Sequence, residues 1–179
     1  IILLQLPVVC FKYAVISVIF TAAYPFFKRF FDAPQLILGL TFSMGIPMAY
    51  AASGVALNTT AGLLILINFF WIIAYDTIYA MADKPDDLKI GVRSTAILFA
   101  HQDKNIVGIL QALTQIFWLI LAFQLHLNAT FYIAWGVASL VFVQQQLCMR
   151  TMSTPNYLNI FMSNSLYGFL FWLALMLQS

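Results

Sequence analysis

The sequence predicts an all-α integral membrane protein, a helical bundle of about six transmembrane helices. Three observations carry this. Of the 179 residues, 63% are hydrophobic and mean hydropathy is +0.93, against roughly 45–50% apolar residues in soluble domains. Only 8% are charged, with no Glu anywhere, where a soluble domain carries about 25%. The apolar residues also gather into runs of the length, about 20 residues, that crosses hydrocarbon.

The runs cover roughly residues 2–24, 36–57, 61–82, 104–125, 130–150 and 158–178, which makes residues 1–179 one membrane domain with the lipid bilayer as its solvent. Each run must be a helix. A chain in lipid has to satisfy its own backbone, and six short strands would not close a barrel. Between the runs lie YPFFKRFFDAPQ, the short LNTT, the long polar DKPDDLKIGVRSTAILFAHQDK, LHLNAT and RTMSTPN.

Charge gives the orientation. With six spans in alternation, the second and fourth connections and the C-terminal tail share the side of the N-terminus and carry no Lys, Arg, Asp or Glu. The other side takes Lys28, Arg29, Asp32, the whole 83–104 segment and Arg150; of the basic residues only Lys12 lies within a span. The positive-inside tendency makes that charged face cytoplasmic. A net charge of +2 offers nothing to nucleic acid. Cys10 and Cys148 sit in apolar runs and read as small buried hydrophobes.

The polar connection holds the chemistry. YDTIYAMADKPDDLKIGVRST (75–95) carries Asp76, Asp83, Asp86 and Asp87, four of the six acidic residues. Asp76 lies inside the third run, where an ionisable group is costly unless it faces a wet cavity or a partner. Asp76 and Asp83 are two helical turns apart and share a face, and Asp87 extends the stripe if the helix continues. Pro85 predicts an end or kink near Asp83, with Asp86 and Asp87 then near the positive start of a new helix. Clustered carboxylates suit Mg2+, which takes one or two of them and completes its shell with water and substrate phosphate. Lys84, Lys89 and Arg93 are interleaved, and Lys28 and Arg29 approach from the neighbouring loop. Metal-binding anions beside cations describe a diphosphate site; a solvated loop of locally paired charges is the plainer alternative. Tyr24 reads as a headgroup-depth anchor, whereas Tyr75 and Tyr79, an i,i+4 pair beside Asp76, also offer faces to a cationic intermediate. His101 and His126 fall on opposite membrane faces without second ligands. There is no Ser–His–Asp set, zinc spacing or phosphate-binding glycine loop.

The form YD-x-x-YA-x-x-D-x-x-DD-x-K-x-G-x-R-ST resembles the second Asp-rich motif of the UbiA superfamily of intramembrane prenyltransferases, most closely its 4-hydroxybenzoate polyprenyltransferase branch of ubiquinone synthesis. YPFFKRF (24–30) and PQLILGLTFSMGIPMAYAA (34–52) resemble that branch too. The resemblance implies a bundle of about nine spans, in the bacterial inner membrane, with an active site at the cytoplasmic face. It implies Mg2+ as cofactor, and polyprenyl diphosphate and an aromatic acid as substrates. By position, Asp76, Asp83 and Asp87, with Asp86 beside them, are expected to hold metal. Asp76, Asp83, Lys89 and Arg93 are the expected catalytic set, with Lys28, Arg29, Lys84 and Tyr79 binding substrate.

The family's first motif, ND-x-x-D-x-x-x-D, has no counterpart: no Asp precedes Asp32. The chain begins at Ile1 without Met and shows no signal-peptide pattern. These features lead us to expect an N-terminally truncated domain, short of about three helices and inactive alone. Other readings are UbiA-type transfer to a menaquinone, haem O or tocopherol-type acceptor, and a cation or proton transporter. A transporter needs an ionisable relay near the bilayer centre, where the sequence offers only Lys12.

Overall fold

A computed structural model describes residues 5–178. Among the described residues eight of nine α-helices build six candidate spans: α1 (Val9–Phe30), α2 (Gln35–Ser43) with α3 (Gly45–Ala52), α4 (Thr59–Ile90), α6 (Asp103–Leu125), α7 (Ala129–Thr151), and α8 (Tyr157–Met162) with α9 (Asn164–Met176). The short α5 (Thr95–Leu98) links α4 to α6. The all-α membrane bundle expected from composition is thus present. Large apolar side chains such as Val18, Phe123, Leu140 and Leu147 stand exposed; in lipid they have no reason to hide.

Two spans are composite. Pro47 has no amide hydrogen, so the Ser43 carbonyl lacks its helical donor, and α2 gives way to α3 around Met44. The chain resumes after each tight turn at the uncharged end with an Asn cap. The Asn58 side chain accepts from the Ala61 N–H at 3.0 Å and Asn128 from the Thr130 N–H at 3.1 Å, answering amide donors that a helix start leaves open.

Two boundaries differ from expectation. The first span runs Val9–Phe30, not 2–24, because Pro7 precedes the helix and Pro25 does not stop it; residues 1–4 lie outside the described residues. More consequentially, α4 does not break at Asp83. It passes through Pro85 and ends at Gly91, whose left-handed φ of 70° lets its N–H close on the Asp87 carbonyl. Proline costs one bond, to Met81, and clashes locally. Lys84, the residue before it, is held by Asp103 at 3.0 Å and by the Ala100 carbonyl at 3.0 Å. Asp86 and Asp87 therefore sit at a helix C-terminus and not at a positive start.

α4 is the central post, packed against α2, α5, α6 and α8. Toward the uncharged end the core gathers Trp118, Phe131, Phe142, Tyr167 and Phe171; toward the charged end it gathers Ile78, Met81, Val107 and Met149. Close approach depends on two glycines: a Cβ on Gly168 would meet Trp71 at 2.7 Å, and one on Gly39 would meet Phe69 at 2.9 Å. α1 is the least buried span, and it packs on α2 and α3.

Candidate active site at the charged end of the bundle

The charged connections meet at one end. Arg93 after α4 reaches Asp32 after α1, Lys84 of α4 reaches Asp103 of α6, and Arg150 of α7 reaches Asn105 of α6. Asp76 lies inward of these, on the open side of α4. Its Oδ2 accepts a hydrogen bond from the Tyr24 hydroxyl at 3.2 Å, so Tyr24 is a partner of the carboxylate as well as an interfacial ring. The Lys28 ammonium stands 5.2 Å from the Tyr24 ring centroid, and Lys28, the Gln35 amide and Asp83 flank Asp76.

The unbroken helix brings Asp76, Asp83 and Asp87 onto one stripe, since offsets of seven and eleven residues return to nearly the same angle. All three are half-buried, and among the described residues none forms an ion pair. Lys28 of α1 is the cation that faces both Asp76 and Asp87. Arg29, next to it, is exposed. Tyr79 is exposed on the same side, one turn from Asp76 and from Asp83.

The remaining residues singled out in the sequence point elsewhere. Asp86 pairs with Lys89 at 2.8 Å, both in solvent. Lys84 is bound by Asp103 and the Ala100 carbonyl. The Arg93 guanidinium lies on Asp32 and the Phe30 carbonyl, each at 2.9 Å. Locally paired charge, the plainer alternative, thus describes Lys84, Asp86, Lys89 and Arg93. It does not describe Asp76, Asp83, Asp87, Lys28 and Arg29.

Sequence reasoning missed the brace behind Asp76. Gln35 is 1% exposed, and its Oε1 accepts from the Thr95 N–H at 3.0 Å. The Thr95 and Thr77 hydroxyls lie 2.7 Å apart, and Thr77 donates to the Ile73 carbonyl at 2.6 Å, so Thr95 is the donor between them. This buried set ties α2, α4 and α5 together around Asp76. The only sequence signal was an amide at the start of an apolar run. Beside Asp76 a second wall is aromatic: Trp71, Tyr75, Phe161 and Tyr79 meet in sequence, edge on face, at 5.7, 5.6 and 5.3 Å between centroids. Trp71, Tyr75 and Phe161 line a cavity of about 320 Å³.

The donor chemistry fits a hard divalent cation in part. Among the described residues no three His, Cys, Asp or Glu side chains gather closely enough to hold an ion unaided. Carboxylates are the ligand type of which Mg2+ takes one or two when phosphate and water complete its shell, and the stripe presents three.

Comparison with known proteins gives a consistent picture. The UbiA prenyltransferase family matches residues 1–175. The 4-hydroxybenzoate octaprenyltransferase of Legionella pneumophila (strain Lens) is 50% identical over 172 residues, 96% of this chain and 61% of the relative. That of Psychromonas ingrahamii is 45% identical over 155 residues, 87% of this chain and 54% of the relative. The apo structure of a UbiA homolog from Aeropyrum pernix K1 superposes with a TM-score of 0.72 over 90% of this chain and 61% of that one, at 19% identity, a likeness of fold alone. The chain spans 54% to 61% of the length of these relatives.

Proposed function

The chain belongs to the UbiA prenyltransferase family, and we propose that the protein carrying it moves a polyprenyl group from its diphosphate to 4-hydroxybenzoate in ubiquinone synthesis. The observation that carries this reading is the face of Asp76, Asp83 and Asp87, free of ion pairs and set against Lys28 at one end of an apolar bundle. The relatives named for that activity supply the substrates.

In this reading Asp76, Asp83 and Asp87 would hold Mg2+, which would supply positive charge to the departing diphosphate. Lys28 and Arg29 bind the same diphosphate from the α1 side and neutralise charge as the allylic C–O bond breaks. Tyr24 fixes the Asp76 carboxylate through its hydroxyl. The aromatic wall of Trp71, Tyr75, Tyr79 and Phe161 accommodates the first isoprene units and stabilises the allylic cation through its ring faces. That cation is then attacked by the ring carbon of 4-hydroxybenzoate next to the hydroxyl, and the ring proton leaves to solvent. The site faces the cytoplasm of a bacterial inner membrane, as the distribution of Lys and Arg favours. The polar groups inside the bundle away from this end are uncharged amides and hydroxyls, which favours an enzyme over an ion relay.

Asp76→Asn in the protein carrying this chain tests the reading. We expect magnesium-dependent prenyl transfer to fall by at least about 100-fold, the scale of a lost charge-stabilising group, with membrane insertion unchanged. Retained transfer would remove Asp76 from the site and the proposal with it.

A further inference from the structure

Arg93 lies two residues beyond Gly91, the residue that ends α4, yet three of its bonds land on the far end of α1. Its backbone N–H donates to the Lys28 carbonyl at 2.8 Å. Its Nη1 donates to the Phe30 carbonyl at 2.9 Å and to Asp32 Oδ1 at 2.9 Å. The last carbonyls of a helix have no intrahelical donor, and Lys28 and Phe30 belong to the last turn of α1. Arg93 therefore closes α1 from 63 residues away, doing for this helix what a capping residue does from within. Asp32 answers the charge of the guanidinium. The turn so held is the one that carries Lys28 and Arg29.

We propose that Arg93 is a positioning residue, clasped to Asp32, that fixes the end of α1 so that Lys28 faces the carboxylates and receives the donor diphosphate. This deepens the function proposed above and rests on it. Both side-chain bonds leave from Nη1, which ties the guanidinium to the end of α1; its Nε and Nη2 hydrogens remain as donors, and direct contact with the diphosphate is the alternative that the test separates. The pair is 46% and 59% exposed, too wet to add much to folding stability, so a purely structural role predicts no kinetic change. The clasp acts through the next link: α1 holds Lys28 over Tyr24, and Tyr24 holds Asp76.

The test compares Asp32→Asn, Arg93→Gln, the double variant and the charge swap of Asp32→Arg with Arg93→Asp, in the protein carrying this chain. A clasp predicts that each single change raises KM for the polyprenyl diphosphate about tenfold, since small misplacements of a binding group are costly. KM for 4-hydroxybenzoate and the melting temperature stay unchanged. The double variant is no worse than either single one, because both remove the same contact, and the swap recovers part of the loss. Calorimetric binding of inorganic pyrophosphate should weaken in the same proportion. If Arg93→Gln weakens donor and pyrophosphate binding while Asp32→Asn leaves both unchanged or tighter, Arg93 is a direct ligand and the clasp is wrong. If neither change moves either quantity, the pair is surface decoration, and the clasp is equally wrong. Pyrophosphate binding needs no turnover, so absent prenyl transfer in the unsubstituted protein counts against the proposed function and leaves the clasp to be judged by calorimetry.

Discussion

The interior around Gln145 and the charged end around Asp76 both place polar groups inside an apolar bundle, but they balance them differently. Gln145 accepts from Gln111 at 2.6 Å and donates to the Ser163 hydroxyl at 2.8 Å, and Gln111 accepts in turn from Gln146 at 2.9 Å. Nearby, Gln115 donates to Ser139 at 2.7 Å and accepts from the Tyr167 hydroxyl at 3.3 Å. These groups are neutral and answer one another, joining α6, α7, α8 and α9. At the other region three carboxylates share one stripe, two of them, Asp76 and Asp87, facing one half-buried lysine, and among the described residues none of the three forms an ion pair. Saturated polarity holds helices together; in the proposed function the unsaturated carboxylates are the ones that take a ligand.

That contrast can be broken at four places, in descending order of effect. Asp83→Asn should lower prenyl transfer about 100-fold or more with little change in melting temperature, and an active variant would put Asp83 with the structural polar groups. Tyr24→Phe removes a hydrogen bond to a carboxylate, worth about 1.5–3 kcal/mol, so steady-state kinetics should show a loss of at least about tenfold; an unchanged rate would leave Tyr24 as an interfacial ring only. Gly168→Ala should destabilise the fold by about 1–3 kcal/mol through overpacking against Trp71, because the Trp71 Nε1 is tied to Asn164 at 3.1 Å and the ring cannot simply swing away. Thermal unfolding in detergent reads this. The smallest effect is expected from Gln145→Leu. Interhelical hydrogen bonds in membranes average about 0.6 kcal/mol and rarely exceed about 1.7, and the double change of Gln111→Leu with Gln145→Leu should recover part of the loss, since it leaves fewer amides without partners. A large catalytic defect in Gln145→Leu would blur the distinction between the two regions.

The sequence made some of this legible and hid the rest for physical reasons. Six spans followed from run length alone, because hydrocarbon thickness sets a length that composition reveals. Asp76 and Asp83 on one face followed from helical periodicity, and the shared stripe with Asp87 waited on whether α4 continued. It did: α4 runs through Pro85 to Ile90 despite the lost bond and the local clash, and Lys84 beside the proline is held by Asp103, 19 residues away. Partners of that kind are set by which helices become neighbours. So are Arg93 with Asp32 and Tyr24 with Asp76, and no local pattern announces either. The Gln network was illegible for a related reason: a glutamine in an apolar run says that it needs a partner, and only the rotation of each helix says which one.

The continuity of α4 through Pro85 has one more consequence. Its 32 residues extend about 48 Å at 1.5 Å per residue, well beyond a hydrocarbon layer of about 30 Å. The stripe from Asp76 to Asp87 covers about 16 Å of that length at the charged end, and in the proposed function this is the part of α4 left over for the headgroup zone. A molecule with a long greasy tail and a highly charged head meets the same step in polarity as it lies in the leaflet. Such an amphiphile can drift in sideways with its head already at the depth of the carboxylates and its tail never leaving oil, so neither end has to change phase to arrive.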